Sequence, residues 1–448
     1  MDRNTLWRLG TALPLVLSCI GLTDCGQNST TTTSLAPTAI AAKRYVEGGT
    51  FDAGFSGGAV ATKIDPSEYE YALAVALQPT GNKIIAAGHS VLAGQGVIAL
   101  VRYNADGSLD TVNFGSNGIV RTAVPSVNAV GTAVAVQGDG KILVAGSTFD
   151  PSTGTAGIVL ARYAANGSLD TAGFAGGKGF VSAPIGPGTS VDNASLALQG
   201  DGSIVVAGAT SAGDFVLRRY DSTGMLDPNF GTTGTGGTTT THVGPSAMGP
   251  AIALQSGGKI IAAGASGSLA SPPMDAVLVR YNTNGTLDTS FGRAGTGMVF
   301  TDIGSSNNFA NAVAVQTPGD KIVVAGHAFV DFAADTSDIA LLRYNADGTP
   351  DTGFGTSGAV VTNLGAFDNA FSVALYPDPD NRIVVSGNTG SGAAVSAAVL
   401  RFTPNGALDT TFGTGGIVTA SPTGPSAAAS ANAVLVQPDR SVVVVGYD

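Results

Sequence analysis

One phrase recurs along this chain, and the recurrence limits the fold more than any other feature. "LVRYNADGSLDTVNFGSNGIV" (Leu100–Val120) returns as "LARYAANGSLDTAGFAGGKGFV" from Leu160 and as "LVRYNTNGTLDTSFGRAGTGMV" from Leu278. Its Phe recurs at Phe55, Phe114, Phe174, Phe230, Phe291, Phe354 and Phe412, spaced 56 to 63 residues apart. An Asp stands three or four residues before each: Asp52, Asp110, Asp170, Asp227, Asp288, Asp351 and Asp409. A second phrase interleaves with the first: "GNKIIAAG", "DGKILVAG", "DGSIVVAG", "GGKIIAAG", "GDKIVVAG", "DNRIVVSG" and "DRSVVVVG".

Each unit reads as strands. "AVAVQ" and "KILVAG" are short apolar runs joined by an Asp/Gly turn, the pattern of a β-hairpin. The "VLARY" run, an Asn/Asp-Gly turn and a run such as "GIVRT" follow. That makes four short antiparallel strands per unit, and no stretch keeps a helical period. Seven four-stranded sheets packed radially form a β-propeller. A linear solenoid would leave open ends that need caps. The ends of the chain favour the ring. The last unit stops at "SVVVVGYD", after its second strand, and Ala39–Ile64 supplies a third and a fourth. The expected fold is therefore all-β, a seven-bladed propeller of four-stranded antiparallel blades. N-terminal strands pair with C-terminal strands in one blade, which leaves no blade short of strands and the ring with no open end. Each long phrase is then the outer half of a blade.

The two phrases together resemble the delta-60 repeat of bacterial envelope and secreted proteins, and are also similar to NHL-type propeller repeats. The resemblance covers nearly all the chain after its first 38 residues. It implies a propeller and no particular activity.

The first residues read as an export signal. Arg3 and Arg8 precede an apolar run, Leu9–Leu22, too short to span a membrane. The two cysteines, Cys19 and Cys25, close this segment, so the body has no disulfide. "VLSC" and "LTDC" each resemble a lipobox, although Asp24 stands where a small residue is expected. The polar "GQNSTTTTS" that follows resembles a lipoprotein tether. The expected organisation is signal and lipobox over 1–25, tether over 26–38 and one propeller over 39–448. A lipid anchor on Cys19 or Cys25 would hold the propeller at an outer membrane or cell surface. An ordinary cleaved signal, leaving a periplasmic or secreted protein, is the alternative.

With 44% hydrophobic residues the chain can build a core, and a net charge of −11 with no basic run excludes nucleic acid as a partner. Every unit carries one Arg: Arg44, Arg102, Arg162, Arg219, Arg280, Arg343 and Arg401. Such a ring could hold an anion, but one Arg with one Asp per unit reads as a repeated structural ion pair. "NADGSLD" (Asn104–Asp110) places oxygens at alternate positions like part of a calcium loop, yet lacks the closing bidentate Glu. Turn chemistry is the expected role; calcium is the alternative, and no other cofactor is expected. Of the three histidines, His89 and His327 follow the Gly of the second phrase. The other units have Ser, Ala, Ala, Asn and Tyr there, which reads as a tolerant surface position. No nucleotide-binding or nucleophile-elbow motif has its required context.

In antiparallel blades the hairpin turns and the Asn/Asp-Gly turns share one face, here the turn face. The loops that vary between units share the other, the variable face. Such loops usually carry function. The loop from His327 to Asp338 gathers Phe329, Asp331, Phe332, Asp335 and Asp338 and is the candidate contact site. The expected function is a non-enzymatic, monomeric binding scaffold for a protein or envelope polymer. A propeller hydrolase or lyase with its site at the channel mouth, and a passive structural or adhesive component, are the alternatives.

Overall fold

A computed structural model describes residues 39–185, 193–232, 236–267, 273–292, 295–303, 307–331, 336–365, 367–377, 379–390, 395–421 and 429–448. Cys19 and Cys25, with the whole leader and tether, lie outside the described residues, as do Phe332 and Asp335. Among the described residues twenty-eight strands form seven antiparallel four-stranded sheets, and there is no α-helix. Blades 1 to 6 are consecutive: 71–122, 128–184, 195–242, 247–301, 308–362 and 368–420. Blade 7 takes Ser430–Val436 and Val442–Tyr447 from one end of the chain and Ile40–Tyr45 and Ala59–Thr62 from the other. Ile40 pairs with Tyr447 and Tyr45 with Val442. The chain is a seven-bladed β-propeller, closed as its repeat pattern predicts.

The first strand of every blade packs against the first strands of both neighbours, blade 7 against blade 1 included, so these strands form the inner ring. The second and third strands are almost wholly buried and fill the space between blades. The inner strand is bulged, with its register shifting, for instance, between Ala310 and Ala312. The bulge explains the Gly that ends the second phrase. A Cβ on Gly326 would sit 1.8 Å from the carbonyl oxygen of Phe309, and one on Gly88 2.0 Å from that of Tyr71. No side chain fits where the bulged strand brings its carbonyl so close.

The long phrase joins blades. Within each, Arg and Asp close an ion pair: Arg44–Asp52 at 2.6 Å, Arg102–Asp110 at 2.8 Å, Arg162–Asp170 at 2.9 Å and Arg219–Asp227 at 2.6 Å. Arg280–Asp288 and Arg343–Asp351 follow at 2.7 Å, and Arg401–Asp409 at 2.8 Å. Each guanidinium lies 4.4 to 5.0 Å from the ring centre of its own Phe, from Phe55 round to Phe412. Its remaining nitrogen donates to a carbonyl in the next blade's Asn/Asp-Gly turn. Arg44 reaches Ala105 O at 2.6 Å, Arg280 reaches Ala346 O at 2.6 Å, and Arg401 reaches Glu47 O to close the ring. The Gly of that turn packs on the Phe behind it; a Cβ on Gly285 would lie 2.5 Å from the Phe230 ring. In blades 1, 3, 4 and 5 the Gln at the end of the inner strand completes the joint. Gln78 accepts from Arg102 and donates to Gly140 O in blade 2.

Burial pushes the Asp110 carboxyl up, but hydrogen bonds from Lys83, the Asn113 amide and Arg102 outweigh it and hold the group below the ordinary carboxylate range. Removing one partner of such a pair leaves the other charged and desolvated. Arg102→Ala should therefore cost about 3–5 kcal/mol in a denaturant titration. Lys141→Ala, which breaks the exposed Lys141–Asp139 pair, should cost less than about 1 kcal/mol. Equal costs would show that the Arg–Asp joint is not what holds neighbouring blades together.

Candidate functional site: the variable face

The polar groups of the turn face are engaged within and between blades. Asp106 Oδ1 accepts from the Ser108 amide at 2.9 Å and its hydroxyl at 2.6 Å. Asp347 does the same with Thr349, and so do Asn166 with Ser168 and Asn284 with Thr286. An amide oxygen serves as well as a carboxylate here, so the position requires an acceptor that caps a tight turn and not a charge. Among the described residues no group of three or more His, Cys, Asp or Glu could hold a metal ion. A shallow groove of about 830 Å³ lies at the outer rim of blade 5, lined by Thr301, Tyr344, Val361 and Asn405 among others.

The variable face differs from blade to blade at one rung, where the third strand begins. Blades 3, 4 and 5 each place an Asp there, and each meets a different residue at or just past the end of the fourth strand. Asp214 faces His242, with Oδ1 and Nδ1 2.9 Å apart. Asp338 accepts from Asn363 Nδ2 at 2.6 Å. Between them, the pairing of Ala276 with Thr301 sets Asp275 across from Asp302 on the next rung. Asp275 Oδ1 is buried without a hydrogen-bond partner, and its carboxyl is pushed up, by burial first and by the Asp302 charge second. Like charges directly opposite destabilise a sheet. Asp302→Asn copies the arrangement of blade 5, and at pH 7 should stabilise the fold by about 0.2–1 kcal/mol, read as a raised unfolding midpoint. A lowered midpoint would mean that the two carboxylates are held apart or share a proton without penalty.

The loop singled out by sequence is built differently from the expectation. The second strand of blade 5 runs Lys321–Asp331, past Gly326, and pairs with Thr336–Tyr344. His327 and Phe329 are strand residues, 0% and 4% exposed. His327 stacks on Phe309 at 4.6 Å, meets the edge of Phe329 at 5.5 Å and accepts from Asn311 Nδ2 at 3.1 Å. Met248 and Met274 of blade 4 belong to the same apolar cluster. His89 stacks likewise on Tyr71, at 5.1 Å. The position after the Gly is therefore not a tolerant surface site. It lies in the packed interior, against its cross-strand partner on the inner strand, and its variation is that of a core position whose partner changes with it. Asp338 is half-buried, and Asp331 pairs through its backbone with Thr336. The His242–Asp214 pair was not legible in sequence, since 28 residues and a loop separate its members.

Burial lowers His327 to about 3 and His89 to about 4, from 6.5. Between pH 6.5 and about 4 the unfolded chain binds protons that the folded chain refuses, so stability is full above 6.5 and falls as the pH drops. Each histidine contributes up to about 1.4 kcal/mol per pH unit. His327→Asn, the residue that blade 6 carries there as Asn388, should remove one histidine's share of that slope in denaturant titrations at pH 7, 6 and 5. An unchanged slope would show that His327 protonates without unfolding.

Among the described residues of the inner strands, Tyr71 and Asp368 carry the ionisable side chains. Asp368 is fully buried and accepts from the amides of Leu364 and Gly365 and from Thr389 Oγ1.

Six segments match a family model described as "Domain of unknown function (DUF5122) beta-propeller": residues 82–111, 137–172, 199–230, 255–291, 319–354 and 379–412. Each runs from a hairpin turn through the second and third strands of one blade, and together they cover blades 1 to 6. No curated protein sequence matches the chain. Among solved structures, Sqt1 from Chaetomium thermophilum is 14% identical, with 84% of this chain and 96% of that one covered and a TM-score of 0.44. A lectin from Burkholderia pseudomallei is 12% identical, over 82% and 89% of the two chains, with a TM-score of 0.41. A polysaccharide lyase of family PL25, an ulvan lyase, is 9% identical, over 86% and 85%, with a TM-score of 0.43. The chain is a propeller-repeat protein whose repeats are similar to those that the DUF5122 β-propeller model describes.

Proposed function

We propose that this chain is an exported, non-enzymatic propeller that binds a protein or envelope polymer on its variable face. The observation that carries the reading is the difference between the two faces. On the turn face the recurrent Arg, Asp, Gln and Gly are spent on holding blade to blade. On the variable face the blades differ, as the three rungs with His242, Asp302 and Asn363 illustrate. Diversity on a rigid frame is how binding surfaces are generally built. The apolar leader and the Ser/Thr-rich segment behind it support export and a lipid on Cys19 or Cys25. The likeness of the phrases to the delta-60 repeat supports the same setting. A hydrolase or lyase acting at the channel mouth has less support, because the described residues of the inner strands offer one tyrosine and one fully engaged aspartate.

The test is thermal unfolding of the full chain with envelope glycans and with fractionated envelope proteins. A ligand present at about 100 times its Kd should add about 2.7 kcal/mol. A bulky substitution on the variable face, Ser152→Trp, should weaken the shift, and one on the turn face, Ser222→Trp, should leave it. Conversion of a glycan into products would overturn the non-enzymatic reading. No shift with any fraction would favour a passive structural component.

A further inference from the structure

We infer that the anchored protein turns its variable face toward the membrane that holds its lipid. This rests on the lipoprotein reading above. Both ends of the propeller leave from one place on the variable face of blade 7. The third strand of that blade, Ile40–Tyr45, starts beside the end of the second, Val442–Tyr447. The Ala39 amide donates to Asp448 O at 3.4 Å. From there the strand runs to the turn face, where Glu47 accepts from Arg382 at 2.6 Å and from Arg440 at 3.1 Å. Lys43 and Asp448, both nearly buried, pair at 3.6 Å near the start of the strand. The strand is thus pinned along its length, and the point at which residues before 39 join the propeller is held on the variable face.

Chain length makes this placement matter. Thirteen residues lie between Cys25 and residue 39, and nineteen between Cys19 and residue 39, so their covalent reach is at most about 45 Å and about 65 Å. A nine-residue blade strand such as Gln95–Tyr103 spans about 30 Å from face to face. Turning the propeller over would leave the chain before residue 39 about 30 Å of rim to cross before it met the lipid, which is most of the reach from Cys25. The varied rungs and loops then look into the gap between propeller and lipid surface, and a partner meets them from that side or is part of that membrane. The turn face, its Arg and Asp paired internally, looks outward.

The full-length chain is purified from a lipidating host and reconstituted in phosphatidylethanolamine–phosphatidylglycerol vesicles that carry a headgroup nitroxide quencher. The mass of the N-terminal peptide is measured first; an unlipidated peptide would remove the lipoprotein reading itself. Any native Cys left without lipid is replaced by Ser. Single fluorophores are then placed on blade 2 through Ser152→Cys on the variable face or Ala165→Cys on the turn face, both exposed positions. The expected result is a marked loss of emission from the label at 152 and little at 165. Inserting 20 Gly/Ser residues after residue 38 adds about 66 Å of covalent reach and should narrow the difference. Equal losses, or a greater loss at 165, with lipid confirmed, would overturn the orientation and leave the lipoprotein reading standing.

Discussion

Seven Arg–Asp pairs, buried or half-buried, each capped by a Phe and each reaching into the next blade, are the interaction on which the structure depends. Desolvating a guanidinium and a carboxylate is costly, and the pair offsets that cost only when every donor is used. Here every donor is directed. Arg280 meets Asp288, Ser290, Gln255 and the Ala346 carbonyl, with Phe291 against its planar face. The requirement carries from blade to blade. The carbonyl that satisfies one guanidinium belongs to the turn that precedes the next Asp, so the joints form a circular chain closed by Arg401 and Glu47.

This economy divides the molecule. The turn face cannot vary without breaking a joint, because its loops supply the acceptors. The variable face has no such duty, and there the blades differ in loop length, in buried aromatics and in the residue opposite each rim Asp. The stacked His327–Phe309 and His89–Tyr71 pairs show how the interior near that face has also diversified. On the second strand a Gly is retained where the bulged inner strand presses a carbonyl against it, while the next residue ranges from Ala to Tyr.

Reading His89 and His327 as surface residues was a natural error of sequence reasoning. Variation among units looks the same whether a site faces solvent, where anything is tolerated, or faces a neighbour that changes with it. The partner of His327 is Phe309, 18 residues earlier and across a bulge, and nothing in the spacing marks them as a stacked pair.

The sequence by itself determined the number of blades, their four-strand order, the pairing of the two ends and the outer position of the long phrase. These follow from short-range features: apolar runs of strand length, tight turns between them, and a repeat that cannot bury its sheets alone. Only the tertiary structure decided which Asp faces His242, Asp302 or Asn363, that Gln78, Gln199, Gln255 and Gln316 complete four of the joints, and that both ends leave from the variable face. Those facts depend on cross-strand register after loops of unequal length and on contacts between neighbouring units. The repeat period, anywhere from 56 to 63 residues, does not encode them.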